Sequence, residues 1–200
     1  MGGFAPQRGY FLDNDNEPKN IIENVTGAVK TTESDHTLNH IGRGYKAFIE
    51  YSGSLASGAS LSWCLTGPTT KFAHIKNLIL TALGSSAKLE ILKDSTVTLD
   101  TGNEVSLINT NHNSTDVPES VLRAGPTYDA DGIVWEMAVV LIDSTAQNVG
   151  SASISGGLYE EIITKSAGEK YIVKLTNTGA DALTKAFIKL FMYEEDEGIY

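Results

Sequence analysis

The chain has 200 residues and a formal net charge of −10, with 15 Lys+Arg against 25 Asp+Glu. That length suits a single domain with a full hydrophobic core. An acidic surface repels phosphate, which argues against nucleic acid as a direct partner, and no apolar run reaches the roughly 18 residues of a membrane span. The first ten residues lack the apolar core and cleavage site of a signal peptide, so the chain reads as soluble and made in the cytoplasm.

Residues 1–40 are punctuated by Gly2, Gly3, Pro6, Gly9 and Pro18. Their apolar residues form islands: Phe4, then Tyr10, Phe11 and Leu12, then Ile21, Ile22 and Val25. Such a segment cannot bury a core of its own. It is expected to be an extended arm that orders against a partner, with Phe4, Arg8, Tyr10, Phe11 and Leu12 as candidate contacts; the alternatives are that it wraps its own domain or stays disordered. A short, weakly patterned helix from Lys19 to Val29 is conceivable. Residues 41–200 form the expected second unit.

From Arg43 the pattern becomes that of strands. Tyr45–Tyr51 alternates and is rich in β-formers. Ser52–Gly58 reads as a turn or bulge. Ala59–Leu65 alternates again, with Leu61, Trp63 and Leu65 on one face, until Gly67 and Pro68 stop it. His74–Ala82 is expected as a strand, since Gly84 and its short length argue against a helix. Lys88–Lys93 and Thr96–Leu99 follow, with a turn at Asp100–Gly102. Asn109–Asp116 has no apolar residue, and its Asn and Asp side chains can order a loop through their own backbone. Ser120–Arg123 is a short strand, Tyr128–Gly132 a turn, and Ile133–Ile142 the longest apolar strand. Gly150–Gly157 reads as flexible, Leu158–Ile163 as a strand, and Tyr171–Tyr193 as a closing hairpin. Glu194–Glu197 reads as a solvated acidic tail. Eight to ten strands at this spacing predict an all-β domain, a sandwich or barrel.

The residues offer little for catalysis. Cys64 is the only cysteine. It sits among apolar neighbours with no histidine close in sequence, so it reads as a small buried hydrophobe in a chain folded in a reducing compartment. His36 and His40 have metal-compatible spacing but no helical support. His74 is expected to be packed or at an edge, and His112 belongs to the polar loop. Asp13–Glu17 opens like a calcium loop, but Pro18 stands where glycine is required and Asn24 where glutamate is required. There is no phosphate-cradling loop and no nucleophile elbow. Glu160 and Glu161 point to opposite faces of a strand and cannot pair. Trp63 and Trp135 are expected in the core. No enzyme activity, cofactor or metal is expected.

Several segments together resemble a known family. They are His74–Leu80 before a glycine turn, the loop Ile108–Ser114, the strand after Asp131 and Gly132, Glu160–Ile163, Tyr171–Asn177, and the ending Phe191–Glu194. Their order and spacing are similar to those of the tailed-phage head decoration, or cement, proteins, over about residues 45–194. The resemblance implies a jelly-roll-like β-sandwich on the capsid exterior, bridging subunits of the major capsid protein. It also implies a homotrimer, because it supplies the number three where exposed sheet edges alone say only that the domain does not stand by itself. It brings no catalytic residues. The alternative is a virion surface or tail module that recognises host glycan, with Tyr128, Asn111 and His112 as possible contacts.

Overall fold

A computed structural model describes residues 10–12, 18–20, 41–142, 149–155, 162–164 and 168–196. The chain divides into two compact units, Met1–Thr37 and Leu38–Tyr200. In the first, strand β1 (Tyr10–Leu12) pairs antiparallel with β2 (Pro18–Asn20), Phe11 standing opposite Lys19. Lys19 and Asn20 are therefore in a strand and do not open the expected helix. Residues 21–29 lie outside the described residues, as do Phe4, Arg8, His36, His40 and the acidic run 13–17.

The second unit is all-β among its described residues. Its first strands are β3 (Gly44–Leu55), β4 (Ser60–Thr66), β5 (Lys71–Leu83), β6 (Ala87–Lys93) and β7 (Val97–Leu99). Short strands follow: β8 (Glu104–Val105), β9 (Ile108–Asn109), β10 (Val121–Ala124) and β11 (Thr127–Tyr128). The chain returns through β12 (Ile133–Val140), β13 (Val149–Ser155), β14 (Ile162–Thr164), β15 (Lys170–Asn177) and β16 (Leu183–Asp196).

The pairing is nested. β3 pairs with β16, β4 with β15, β5 with β13 and β14, and β6 with β12, all antiparallel. The first half of the domain is thus a ribbon whose return strand is the second half. Rolling that ribbon also brings β5 against β16 and β6 against β15. The product is two six-stranded sheets, one in the order β12-β6-β15-β4-β10-β8, the other β13-β5-β16-β3-β9 with β14 also on β5. This is a β-sandwich.

Period-two alternation puts the inward residues of both sheets into one core. Tyr45, Ala47 and Ile49 of β3 and Ile188 and Leu190 of β16 meet Leu89 and Ile91 of β6, Val173 and Leu175 of β15, and Trp63 and Leu65 of β4. A second, smaller cluster lies on the other side of the β4–β15–β6 sheet. There Cys64, Leu92 and Ile172 are covered by Val97 and Tyr128, which belong to the β7–β11 ribbon. Cys64 and Leu65 are therefore both buried although they point to opposite faces, which accounts for an apolar run longer than alternation alone requires.

Several expectations change. The closing hairpin expected at Tyr171–Tyr193 does not form: β15 pairs with β4 and β6 in one sheet, and β16 with β3 and β5 in the other, so the turn between them crosses from sheet to sheet. β3 continues to Leu55, and the Ser52–Gly58 segment holds both features expected of it, a bulge opposite Leu183–Lys185 and then the turn. Gly150–Ser155 is strand, paired with Ala82–Asn77. A side chain at Gly150 would strike Val140, so glycine permits the close approach of β13 and β12. The Ile133–Ile142 run is an edge strand ending at Val140, and Ile133, Met137 and Val139 are exposed. Trp135 is only half-buried, whereas Trp63 is in the core. Finally, Glu194 and Glu195 are buried parts of β16 and not a solvated tail. Of the strand expected at Leu158–Ile163, β14 holds Ile162 and Ile163, and 158–161 lie outside the described residues.

Candidate functional site

Three places in the domain gather polar or charged groups beyond what a core needs. The first is the outer face of the β5–β16–β3 sheet. Register sets Phe48 opposite Lys189, Lys46 opposite Phe191 and Glu50 opposite Phe187, so aromatic and basic residues tile the face around the carboxylate of Glu50. Lys189 Nζ lies 4.4 Å from the Phe191 ring centre and 5.5 Å from that of Phe48, and Lys46 Nζ lies 5.9 Å from Phe48. Each such contact contributes about 0.5–1 kcal/mol at an exposed site. The rings are nonetheless open to solvent, Phe48 at 54% and Phe187 at 42%. Among the described residues, Lys46, Lys185 and Lys189 have no carboxylate at ion-pair distance. The basic residues look scattered in sequence, yet strand pairing collects three of them on one face of an acidic protein.

The second is a cleft of about 480 Å³ at one end of the other sheet, lined by Lys93, Asp94, Ser95, Val97, Trp135, Glu169, Lys170 and Tyr171. Trp135 occupies a bulge in β12 opposite the Ile91–Leu92 step of β6. A bulge re-aims a side chain, and here the indole sits 5.5 Å from the Tyr171 ring at a tilt of 33°. Lys93 Nζ is 5.2 Å from the Trp135 ring centre. The Tyr171 hydroxyl donates to Glu169 Oε2 at 2.7 Å, and Lys170 Nζ is 3.7 Å from Asp100 Oδ2. Asp94 has φ of 59°, a left-handed conformation that Asp tolerates better than most residues. Gly132 packs on the same turn, where a side chain would strike the Lys93 carbonyl and Ser95.

The third is a buried clamp where the β16 end, the β5 start and residues 118–120 meet. Glu194, fully buried, accepts from the backbone N–H groups of Glu119 at 3.0 Å and Ser120 at 2.7 Å. Lys71 Nζ lies 3.6 Å from Glu194 Oε2 and 3.5 Å from Glu119 Oε1. Burial pushes the Glu119 carboxyl up, but the hydroxyl and amide of Thr70 and the Lys71 ammonium together hold it below its ordinary value. His74, also buried, stacks on Tyr193 with ring centres 4.4 Å apart and faces Glu195 Oε2 at 3.3 Å. Burial, then the charges of Glu194 and Asp116, push the Tyr45 hydroxyl up to about 12. His74 is thus packed, as one of its two sequence readings held. Lys71, Glu119 and Glu194 are far apart in sequence, and no local signal joins them.

The glycan candidates fall in two different surroundings. Tyr128 is half-buried over Cys64 and Ile172, with its hydroxyl 3.0 Å from Ser62 Oγ. Asn111 and His112 belong to the loop after β9. In that loop Asn109 Oδ1 accepts from the Asn111 amide, Asn111 Oδ1 from the Asn113 amide, and Ser114 Oγ from the Asp116 amide. The loop exposes His112, Asn113, Thr115 and Asp116 and half-buries the rest, and Asn111 commits its side-chain oxygen to the Asn113 amide. Tyr10, Phe11 and Leu12 make up β1.

Cys64 is fully buried. Burial, and then the charge of Asp100, push its thiol up to about 11, so at neutral pH it is a protonated, enclosed group. Among the described residues no cluster of three or more His, Cys, Asp or Glu is placed to hold a metal ion. No protein-family model matches the chain, and no curated protein matches it.

Proposed function

We propose that this chain is a virion structural protein that docks on the exterior of a phage head and stabilises it by bridging major capsid protein subunits. The observation that carries the reading is the lysine–aromatic face of the β5–β16–β3 sheet. On a chain of net charge −10, one basic, aromatic face fixes the orientation in which an acidic surface is approached. Exposed aromatic residues are the side chains that contribute most when a partner covers them. The resemblance to decoration proteins supplies the kind of partner. The nested pairing of the eight principal strands is the order in which a jelly roll is wound, an architecture used in viral capsids and lectins alike. Fold alone does not decide between them.

The arm of residues 1–40 and this face would each hold a subunit, so the bridge forms only in the assembled shell and stabilises it by mass action. The test is co-sedimentation with undecorated heads. Replacing Lys46 and Lys189 together by Glu should weaken binding at least tenfold, about 1.4 kcal/mol, while the domain stays folded and its melting temperature falls only by what the lost lysine–ring contacts contribute. Deleting residues 1–30 should abolish binding and leave the sandwich folded. Full occupancy by both variants would remove the reading. The protein is further proposed to be a homotrimer: the edge strand β12, with exposed Ile133, Met137 and Val139, supports self-association because open edges seek cover, and the resemblance to decoration proteins supplies the number three. Light scattering at micromolar concentration in moderate salt should return three times the monomer mass of 21.4 kDa, and a monomer would refute it.

A further inference from the structure

We propose that the cleft at the end of the β12–β6–β15 sheet is a binding site for a neutral pyranose oligosaccharide. Three departures from regular strand geometry converge on it. They are the β12 bulge that carries Trp135, the left-handed Asp94, and Gly132 pressed on the Lys93–Ser95 turn. Such departures cost stability and cluster where a side chain must be aimed. The turn is braced from behind: Ser95 Oγ donates to the Asp131 carbonyl at 2.8 Å, and Lys174 Nζ binds Asp131 Oδ2 at 2.6 Å. Burial pulls the Lys174 ammonium pKa down, but the bond to Asp131 and nearby negative charge raise it on balance, so the brace stays charged at neutral pH.

The lining fits the chemistry of a sugar. A pyranose presents an apolar C–H face and a rim of hydroxyls that both donate and accept. Trp135 supplies the aromatic wall, backed by the buried ring of Tyr171. Glu169 and Asp94 accept, and Lys93, Lys170 and Ser95 donate. Two ammonium groups stand against two carboxyl groups, and Lys170 is additionally countered by Asp100, so the lining favours neither anion nor cation. The volume of about 480 Å³ is in the range of small-molecule clefts, roughly 300–1,000 Å³. Lys93 lies on the indole, and its flexible stem lets the ammonium swing onto a hydroxyl as the ring seats.

This site does not depend on head docking, since the lysine–aromatic face lies on the other sheet. The full chain is titrated by NMR with neutral gluco-, galacto- and manno-oligosaccharides, and in parallel with a uronate oligomer and sialyllactose. The expected result is saturation transfer to at least one neutral oligomer, with the Trp135 indole N–H resonance moving and that of Trp63 still. Glu169→Gln, nearly isosteric, should weaken that binding about tenfold. Lys93→Met should weaken it less, and Phe48→Ser should leave it unchanged. Silence from every neutral oligomer overturns the proposal, as does binding of the acidic oligomers alone. Binding that leaves Trp135 unmoved and is indifferent to Glu169→Gln overturns it equally. Loss of head docking in Lys46→Glu/Lys189→Glu with sugar binding intact would separate the two readings.

Discussion

Replacing Glu194 by Gln should destabilise the sandwich far more than its place near the chain's end suggests. The carboxyl is fully buried and receives two backbone N–H groups, from Glu119 and Ser120. A glutamine keeps the shape but offers one acceptor oxygen. Its NH₂ group then faces a backbone N–H, leaving two buried donors opposed. Hydrogen bonds to a charged acceptor contribute about 1.5–3 kcal/mol each, and a stranded buried donor costs about 1–3 kcal/mol. Lys71, 3.6 Å away, loses its buried counter-charge but keeps Glu119, which limits that part of the loss. The expected cost is therefore about 2–4 kcal/mol. For a domain of this size 1 kcal/mol moves the midpoint by roughly 2–4 °C, so the melting temperature should fall by about 4–16 °C. Urea unfolding followed by tryptophan fluorescence gives the free energy directly, and Lys71→Met with the double variant closes a cycle. A loss below about 1 kcal/mol would show that the clamp carries no weight and that the reasoning from burial is wrong, and strict additivity with Lys71→Met would show that the ion pair adds nothing to the backbone bonds.

Two titrations test the interior. Tyr45 has its hydroxyl raised from 10.0 to about 12. A group whose folded pKa is raised stabilises the fold below its unfolded pKa and loses that contribution as pH climbs to the folded value. Stability should therefore fall from pH 10 up to about 12, and Tyr45→Phe should flatten the slope; an unchanged slope would refute the assignment. Cys64, with its thiol raised to about 11, should resist thiol reagents in the native protein at pH 8 and react at the rate of a free thiol in 6 M guanidinium. Fast native labelling would contradict its burial.

The fold was largely legible because it is written in short-range alternation. Tyr45–Tyr51, Leu61–Leu65 and Tyr171–Asn177 each place one face inward, and a strand is implied wherever that rhythm holds. The rhythm misleads where burial is two-sided or absent. Cys64, Leu92 and Ile172 are covered by a ribbon from elsewhere in the chain, so their apolarity says nothing of the main core. Ile133–Val140 is as apolar as a central strand but stands at an edge. Gly150–Ser155 carries almost no side chain by which to announce itself, and becomes a strand because β5 offers it a backbone ladder. Glu194 looked like a tail because charge in a terminal run is normally solvated. Its partners at Glu119, Ser120 and Lys71 are distant in sequence.

The candidate sites were less legible for a related reason. Tyr128 and His112 drew notice as an aromatic residue and a histidine in polar surroundings, yet polar surroundings in sequence are turns, whose side chains often bond to their own backbone. The lysine–aromatic face and the cleft are instead products of pairing. Phe48 and Lys189 are far apart along the chain and meet because β3 and β16 are the outermost turn of the nested ribbon. Trp135 and Tyr171 meet because β12 and β15 flank β6, and a bulge turns the indole to the sheet end. In a nested ribbon each residue faces one whose distance along the chain shrinks steadily from β3–β16 to β6–β12. Register is then fixed by the whole ladder, not by any single turn. A one-residue slip would send Phe48 inward and Tyr45 outward together. The same constraint that keeps Tyr45 buried therefore holds the basic, aromatic face on the outside, and a function placed there inherits the stability of the core beneath it.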